Sequence, residues 1–454
     1  MLIFPHHLAQ GLLAEFVAYP LATRREKREI ASKEAWLKAE MARPFAERRQ
    51  RSQKALAELV GWAGVHVPYY KDLFASLNFD PAKLEQDAGW LNDLPYLTKD
   101  IIREQGERMM RQDREGLRIH GCKTGGSTGV SAIIYYDQEA ADWSSAVTHY
   151  ARRSVGKHHF MRELHFASRF PEKFPLRARV IEHIKCLCMN RTNIFFDDFS
   201  PASLEAIWRQ VRRNRPVLVH GHPSTLYQLA LHMADAHGGG KAFDIFESSG
   251  ELLEPHQRRT IETALRCRVV DRYGLAEFGV VAYEGHKGST WRDVYDPIAW
   301  PEIAAVDGSD ASAIAHERGQ SGELVLTGLK NRLMPLIRYR TGDLAALGEE
   351  PDRGFVLYDL VGRIHDVVRI GGKDYATHYI QDMLDRLGSI REFQIAVGGA
   401  VPVLRLVLEP HATREEVEAR IRQWWGQSIE LEFIDTTQIQ LQGGRAKFRH
   451  VVPA

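Results

Sequence analysis

Apolar and polar positions change rhythm along the chain, and the changes divide it into regions. Between Ala22 and Ala55, Arg, Glu, Lys and Ala dominate while Trp36, Leu37, Met41 and Phe45 return at helical spacing. This predicts one or two amphipathic helices with a solvated charged face. Leu94 to Arg103 reads as a turn and a helix capped by Thr98, whose hydroxyl can accept an end N–H. The run Ala132-Ile-Ile-Tyr-Tyr136 predicts a strand. From Leu204 to Val281 the elements alternate: strand 216–220, helix 223–234, strand 242–247, helix 255–265, strand 268–271, then a turn at 272–274. That order is the grammar of an α/β layer with ligands held at strand ends. After Gly322 strands prevail, at 322–327, 336–339 and 355–358. The last part, with strands at 364–370, 392–397 and 403–408 and helices at 377–387 and 413–425, reads as a separate small α+β unit. The expected fold is therefore α/β: a large N-terminal domain of layered α/β sheets, 1–362, with a largely helical lead-in over 1–110, and a mobile C-terminal α+β domain, 363–454.

Size and charge narrow the function classes. A chain of 454 residues is long enough for two or three domains and a large core. Its 60 basic and 59 acidic residues nearly cancel, so neither nucleic acid nor an anionic membrane is an expected partner. No apolar run approaches the ~20 residues that span a bilayer, and the start lacks a basic signal-peptide region, so a cytoplasmic location is expected. Four cysteines, Cys122, Cys186, Cys188 and Cys267, fit a reducing compartment. His183-x-x-Cys186-x-Cys188 resembles half a metal site, but no second cluster accompanies it; a buried apolar segment is the expected reading.

Candidate chemistry concentrates in Lys123-Thr-Gly-Gly-Ser-Thr-Gly129. Glycine lets backbone N–H groups turn toward an anion, and Thr124, Ser127 and Thr128 add hydroxyls, so the loop predicts a phosphate cradle. It is neither a Walker A nor a dinucleotide sequence.

Four later segments accompany that loop: Tyr273-Gly-Leu-Ala-Glu277, Arg338-Tyr-Arg-Thr-Gly-Asp343, Gly362-Arg-Ile-His-Asp366 with Gly371-Gly372, and Ala446-Lys-Phe-Arg449. In this order they resemble the adenylate-forming superfamily of acyl-coenzyme A synthetases, luciferases and peptide-synthetase adenylation domains. Val67-Pro-Tyr-Tyr-Lys71, Leu94-Pro-Tyr-Leu-Thr-Lys99, Gly221-His-Pro-Ser-Thr225, Ser249-Gly-Glu-Leu252 and Phe393-Gln394 are similar to its phenylacetate-coenzyme A ligase and CapK branch.

The resemblance implies ATP, Mg2+ and coenzyme A as reactants and cofactor, with a small-molecule carboxylic acid as substrate. It assigns Thr124, Gly125, Gly126, Ser127, Thr128 and Gly129 to the phosphates. Ser249, Gly250, Glu251, Asp271, Arg272, Tyr273, Gly274, Asp343 and Arg363 are assigned to adenine and ribose. Glu277 would hold the Mg2+, and Lys447 would reach the α-phosphate when the C-terminal domain closes. Gly443-Gly-Arg-Ala-Lys447 allows two registers: Lys447 fits by the Phe-Arg-His-Val run after it, Arg445 by the glycines before it. His365 takes the hinge position usually held by Asp or Lys, where its titration near neutral pH would couple domain orientation to pH. A proline usual after the glycine loop is absent, the chain continuing Val130-Ser-Ala-Ile133.

For the acid, the resemblance points to the 221–224 loop, the 248–250 turn and 274–276, making Tyr136, His220, His222, Ser224, Leu275 and Ala276 candidate pocket residues. Small residues around a tyrosine and histidines suit a compact, aromatic acid. The expected function is ATP-dependent activation of that acid to an acyl-adenylate and transfer to coenzyme A. Amide formation, adenylyl transfer to a non-thiol acceptor, and nucleotide binding without turnover remain alternatives, and a homodimer stays open.

Overall fold

The computed structural model of the protein describes residues 5–124, 132–168, 175–196, 199–286, 288–289, 291–305, 319–361, 367–435, 438, 440–442, 447–448 and 450–454. A hairpin of β1 (Ile119–Lys123) and β2 (Ile133–Asp137) precedes β3 (Glu163–Ser168), β4 (Arg191–Phe196), β5 (Leu218–Gly221), β6 (Ile245–Ser248) and β7 (Arg268–Leu275). Next come β8 (Gly279–Tyr283), β9 (Arg292–Val294), β10 (Ala299–Ala304), β11 (Gln320–Gly328), β12 (Tyr339–Glu350) and β13 (Gly354–Val361). Strands β3 to β13 form one sheet in the order β10-β11-β12-β13-β9-β8-β7-β6-β5-β3-β4.

The sheet has two halves that meet at β7. From β4 to β7 neighbours are parallel; beyond β7 they are antiparallel. Arg268–Asp271 pair with β6 and Arg272–Leu275 with β8, so one strand serves both halves in succession. The turn expected at 272–274 is thus extended strand. Gly274 is needed there for close approach, since a Cβ would lie 2.5 Å from the Gly279 carbonyl oxygen across the ladder.

Alternation along the parallel strands builds a core on each face. Val219, Phe246 and Val269 pack with helices Pro201–Asn214, Pro223–His237 and Pro255–Leu265. Leu218, Ile245 and Val270 face Val147 and Ala151 of helix Gln138–Ser154. Helix Pro255–Leu265 starts where expected because Glu254 and Gln257 form a capping box, and Thr98 caps Lys99–Gln105 through the Ile101 N–H. The strand expected at 336–339 begins only at Tyr339: Arg338 adopts φ +52°, breaking extension, while its guanidinium donates to the Leu91 and Leu94 carbonyls at 2.9 and 2.6 Å.

Two expectations from polarity need correction. Helices Ile30–Met41 and Phe45–His66 carry the charged lead-in, but not all its charge is solvated. Arg48 is 2% exposed, with Nε 2.6 Å from Oδ1 of the fully buried Asp296, because that carboxylate needs a counter-charge inside the antiparallel half. The Cys186 and Cys188 segment is not buried: helix Leu176–Cys188 leaves Leu176, Val180, Ile181, Ile184 and Leu187 exposed and buries no residue. Among the described residues, no metal-type cluster includes the cysteines.

In the C-terminal part, β14 (Val367–Ile370) and β15 (Lys373–Ala376) form a hairpin. β16 (Ile390–Val397), β17 (Val403–Leu408), β18 (Glu430–Phe433) and β21 (Val451–Pro453) make a four-stranded sheet. Helices Thr377–Asp385 and Arg414–Trp425 cover a core around Ile380, Ile395, Leu404 and Ile421. Lys123, just before the glycine loop, reaches this part, donating to Asp385 at 3.2 Å and the Ile390 carbonyl at 2.6 Å. No described helix is long and apolar enough to cross a membrane.

Arg48→Met should strand the Asp296 carboxylate and cost about 3 to 5 kcal/mol in equilibrium denaturation. Adding Asp296→Leu should recover most of that loss; a double variant as unstable as the single one would refute the ion-pair account.

Candidate active site

The carboxyl end of β7 carries Tyr273 and leads into Glu277, and two hydrogen bonds tie this stretch to β12. Tyr273 donates its phenolic hydrogen to Asp343 Oδ2 at 2.9 Å. Tyr339 donates to Glu277 Oε1 at 2.7 Å. β12 lies four strands away from β7 in the sheet order, so these bonds require the antiparallel half to curl back over the switch. Burial and the neighbouring Asp343 carboxylate push the Tyr273 phenol well above its usual range, keeping it a donor.

The Thr-Gly-Asp turn is locked from below. Thr341 Oγ1 donates to the Leu324 carbonyl at 2.7 Å and accepts from the Asp343 N–H at 3.1 Å. Gly342, at φ +80°, donates its N–H to Glu323. Asp343 is thereby a buried carboxylate of fixed orientation. Glu277 is half-buried, and its Oε2 meets no protein donor among the described residues, leaving one fixed oxygen and one available for a cation.

The glycine loop itself, 125–131, contains Gly125, Gly126, Ser127, Thr128 and Gly129 and lies outside the described residues. Its base is described. Thr124 donates its N–H to the Ala132 carbonyl at 2.8 Å and accepts the Ala132 N–H on Oγ1 at 3.0 Å, so the chain enters and leaves the loop at one point. Thr124 is 1% exposed, which makes it an anchor of the loop. Arg363, His365 and Arg445 also lie outside the described residues, while Lys447 stands on β20 (Lys447–Phe448), paired with β19 (Leu441–Gln442).

Loops at the ends of β5 and β6 are clasped together. Glu251 accepts the Ser224 N–H at 3.1 Å and its hydroxyl at 3.0 Å, and Ser249 donates its N–H to the Gly221 carbonyl. Gly250 sits at φ +85°, where a Cβ would come 2.5 Å from the His222 ring.

Beneath these loops lies a buried ionic cluster. Arg152 donates to Glu163 at 2.9 Å and Glu247 at 2.8 Å; Lys157, His165, Arg272, Tyr283 and His220 join it, with His220 Nδ1 2.8 Å from Glu247. Burial acts to raise the Glu247 carboxyl, but Arg152, His220 and Arg272 hold it well below the usual carboxylate range. Burial lowers the His220 imidazole despite that carboxylate. Asp271, on the other face, is engaged by Arg292 Nε at 2.7 Å.

One cavity of about 320 Å3 opens beside Glu277. Tyr136 and Ala276 line it, as do Phe278 and Gly279. His220, His222, Ser224 and Leu275 do not: His220 faces Glu247, His222 and Ser224 lie at the Glu251 clasp, and Leu275 packs on the core. The opposite wall comes from residues without a motif: Arg28 of the lead-in, Trp143 and Ser144 of helix Gln138–Ser154, and Lys330 and Asn331 after β11. Lys330 could have been suspected only as a lone lysine between a strand and an asparagine turn.

No family model matches the chain. Protein CapK of Staphylococcus aureus is 22% identical over 317 residues, 68% of this chain, and the match spans 66% of CapK, just under two thirds of its length. Phenylacetate-coenzyme A ligase of Pseudomonas putida is 25% identical over 357 residues, covering 74% of this chain and 76% of the relative. A 2-hydroxyisobutyryl-CoA ligase solved with 2-HIB-AMP and CoA superposes with a TM-score of 0.57 at 19% identity, covering 91% of each chain, and shares the fold. With the loop base, the Tyr273–Asp343 and Tyr339–Glu277 pairs and these relatives in agreement, the chain is similar to the phenylacetate-coenzyme A ligase and CapK-like branch of the adenylate-forming superfamily.

Proposed function

We propose that the protein activates a small carboxylic acid with ATP and transfers the acyl group to coenzyme A. The observation that carries this reading is the pair of bonds that ties Tyr273 to Asp343 and Glu277 to Tyr339 across one curled sheet, with Glu277 lining the 320 Å3 cavity. That volume suits a compact acid, and the curated relatives named phenylacetate-coenzyme A ligase support both the acid and the thiol.

In the first half-reaction a carboxylate oxygen of the acid attacks the α-phosphorus of ATP, and the bond to the β-phosphate oxygen breaks to release pyrophosphate. The glycine loop whose base is Thr124 and Ala132 would bind the departing phosphates through its N–H groups. Asp343, oriented by Tyr273 and Thr341, accepts hydrogen bonds from the ribose hydroxyls, a role the family resemblance shares with Arg363. Ser249, Gly250 and Glu251, clasped to the 221–224 loop, and Gly274 shape the adenine side. Glu277 would hold Mg2+, which when bound neutralises phosphate charge and orients the transfer. Lys447 enters with the C-terminal part to stabilise charge at the α-phosphate, and His365 provides the hinge for its departure. In the second half-reaction the thiolate of coenzyme A attacks the acyl carbonyl carbon and AMP leaves with the electrons of the broken acyl–oxygen bond.

Acid-dependent pyrophosphate release, measured with a panel of small aryl and alkyl acids, tests the first step; a thioester formed on adding coenzyme A tests the second. Release that requires an amine or hydroxyl acceptor would replace the thiol reading, and nucleotide binding without release would remove turnover altogether.

Glu277→Gln should lower the rate of pyrophosphate release about 100-fold or more with unchanged thermal stability. Tyr273→Phe should raise KM for ATP about tenfold, through loss of a hydrogen bond to a buried carboxylate, and an unchanged KM would separate Asp343 from the nucleotide. Lys447→Ala should slow adenylation much more than thioester formation from supplied acyl-adenylate; if Arg445→Ala does this instead, the other register is correct.

A further inference from the structure

We propose that the acid bound in this cavity carries a second anionic group, which pairs with the Lys330 ammonium. The inference rests on the cavity being the acyl pocket of the proposed reaction and deepens that reading by naming the substrate class.

Lys330 comes just after β11 and lines the same cavity as Glu277 and Tyr136. Its Nζ lies 4.4 Å from the Trp36 ring centroid and 4.6 Å from that of Trp143, two indoles that meet edge to face at 5.2 Å. Aromatic faces attract a cation but offer its N–H groups no lone-pair acceptor. Among the described residues no carboxylate comes within ion-pair distance of Nζ, and no hydrogen bond engages it. The other cation in the wall is already answered: Arg28 Nε is 2.6 Å from Asp142 Oδ1, and its Nη2 donates to Ser145 at 3.2 Å. Lys330 is therefore the cation of the wall whose donors still lack an acceptor.

Burial brings the Lys330 ammonium down to about 8, while Glu40 acts in the opposite sense. The charge is thus largely present at neutral pH but poorly solvated, the condition in which an incoming anion gains most. A monocarboxylate committed to adenylation beside Glu277 would leave those donors unpaired. An acid with a second carboxylate satisfies them, and a site built to pair a polar group discriminates against the analogue that lacks it.

The test uses short aliphatic and aromatic acids, each beside the same acid bearing a hydroxyl or a second carboxylate, in the pyrophosphate-release assay. For the best pair, the wild-type protein should favour the diacid by about tenfold or more in kcat/KM, the size of one desolvated charge pair. Lys330→Met should bring this ratio to about one, and Lys330→Arg should keep most of it. Because the ratio is taken within each variant, altered yield or specific activity does not mimic the result. Equal use of mono- and diacids by the wild type, preference for the hydroxy acid, or an unchanged ratio in Lys330→Met would overturn the proposal. If no acid supports pyrophosphate release, the adenylation reading fails separately. Calorimetric titration of the same acids without ATP then decides the matter: tighter diacid binding that Lys330→Met abolishes supports the pairing, and equal affinities refute it.

Discussion

The architecture depends on a single strand that changes partners. β7 completes the parallel half with its first four residues and opens the antiparallel half with its last four. A parallel ladder needs crossover helices on its faces, whereas an antiparallel one continues by short turns and can bend. The handover therefore marks where helices end and a curling sheet begins. It is also a point where a ligand can reach backbone at strand ends. Tyr273 stands just past the change, Glu277 beyond the end of the strand, and both are fastened to β12. Without Gly274 the Gly279 carbonyl could not come close enough for the second half of β7 to pair.

Charge buried beneath the switch has a different purpose from charge placed at it. Arg152 lies between two buried glutamates, with Lys157, Arg272 and His220 sharing them. The cluster ties β3, β5, β6 and β7 to helix Gln138–Ser154 in one register. Paired charges of this kind bring little net stability, since desolvation offsets attraction, but losing one member is costly. This explains why His220, at the end of a strand where a pocket residue is expected, turns toward Glu247 instead of the cavity. By contrast, Glu277 keeps an oxygen without a protein donor among the described residues, and Lys330 keeps N–H groups facing aromatic rings. The difference between structural and functional charge here is whether the protein itself completes the pairing.

Legibility in the sequence obeys the same division. Helix Pro255–Leu265 and the Thr98 cap were legible because caps are local: their signals lie within three residues of the boundary. Nothing in the motifs that hold Tyr273 and Asp343 tells that the two side chains touch, 70 residues apart. Gly274 was misread as a turn because a glycine for tight interstrand approach and a glycine for a bend look alike in sequence. Arg48 was read as solvated because charge patterning cannot reveal a buried Asp296 almost 250 positions further on. The helix Leu176–Cys188 was read as buried because its apolar residues are dense, yet they remain exposed.

The pocket wall shows why substrate choice is the least legible property. In the proposed reaction the nucleotide chemistry is the same for every acid, so its residues can sit in fixed motifs, whereas the acid varies and its contacts come from wherever packing brings side chains together. Here Arg28 comes from the helical lead-in, Trp143 and Ser144 from the helix after the glycine loop, and Lys330 from the turn after β11, with Trp36 of the lead-in packed behind it. None of these segments carries a motif, and none would make a site alone. The lead-in is thus more than a cover for the sheet. By setting Trp36 against Trp143 it gives the Lys330 ammonium aromatic faces for neighbours, so that in the proposed reading its charge is met by what enters the cavity. The indole pair thus sets both a wall of the pocket, at Trp143, and the surroundings of its charge, at Lys330, as consequences of one packing arrangement.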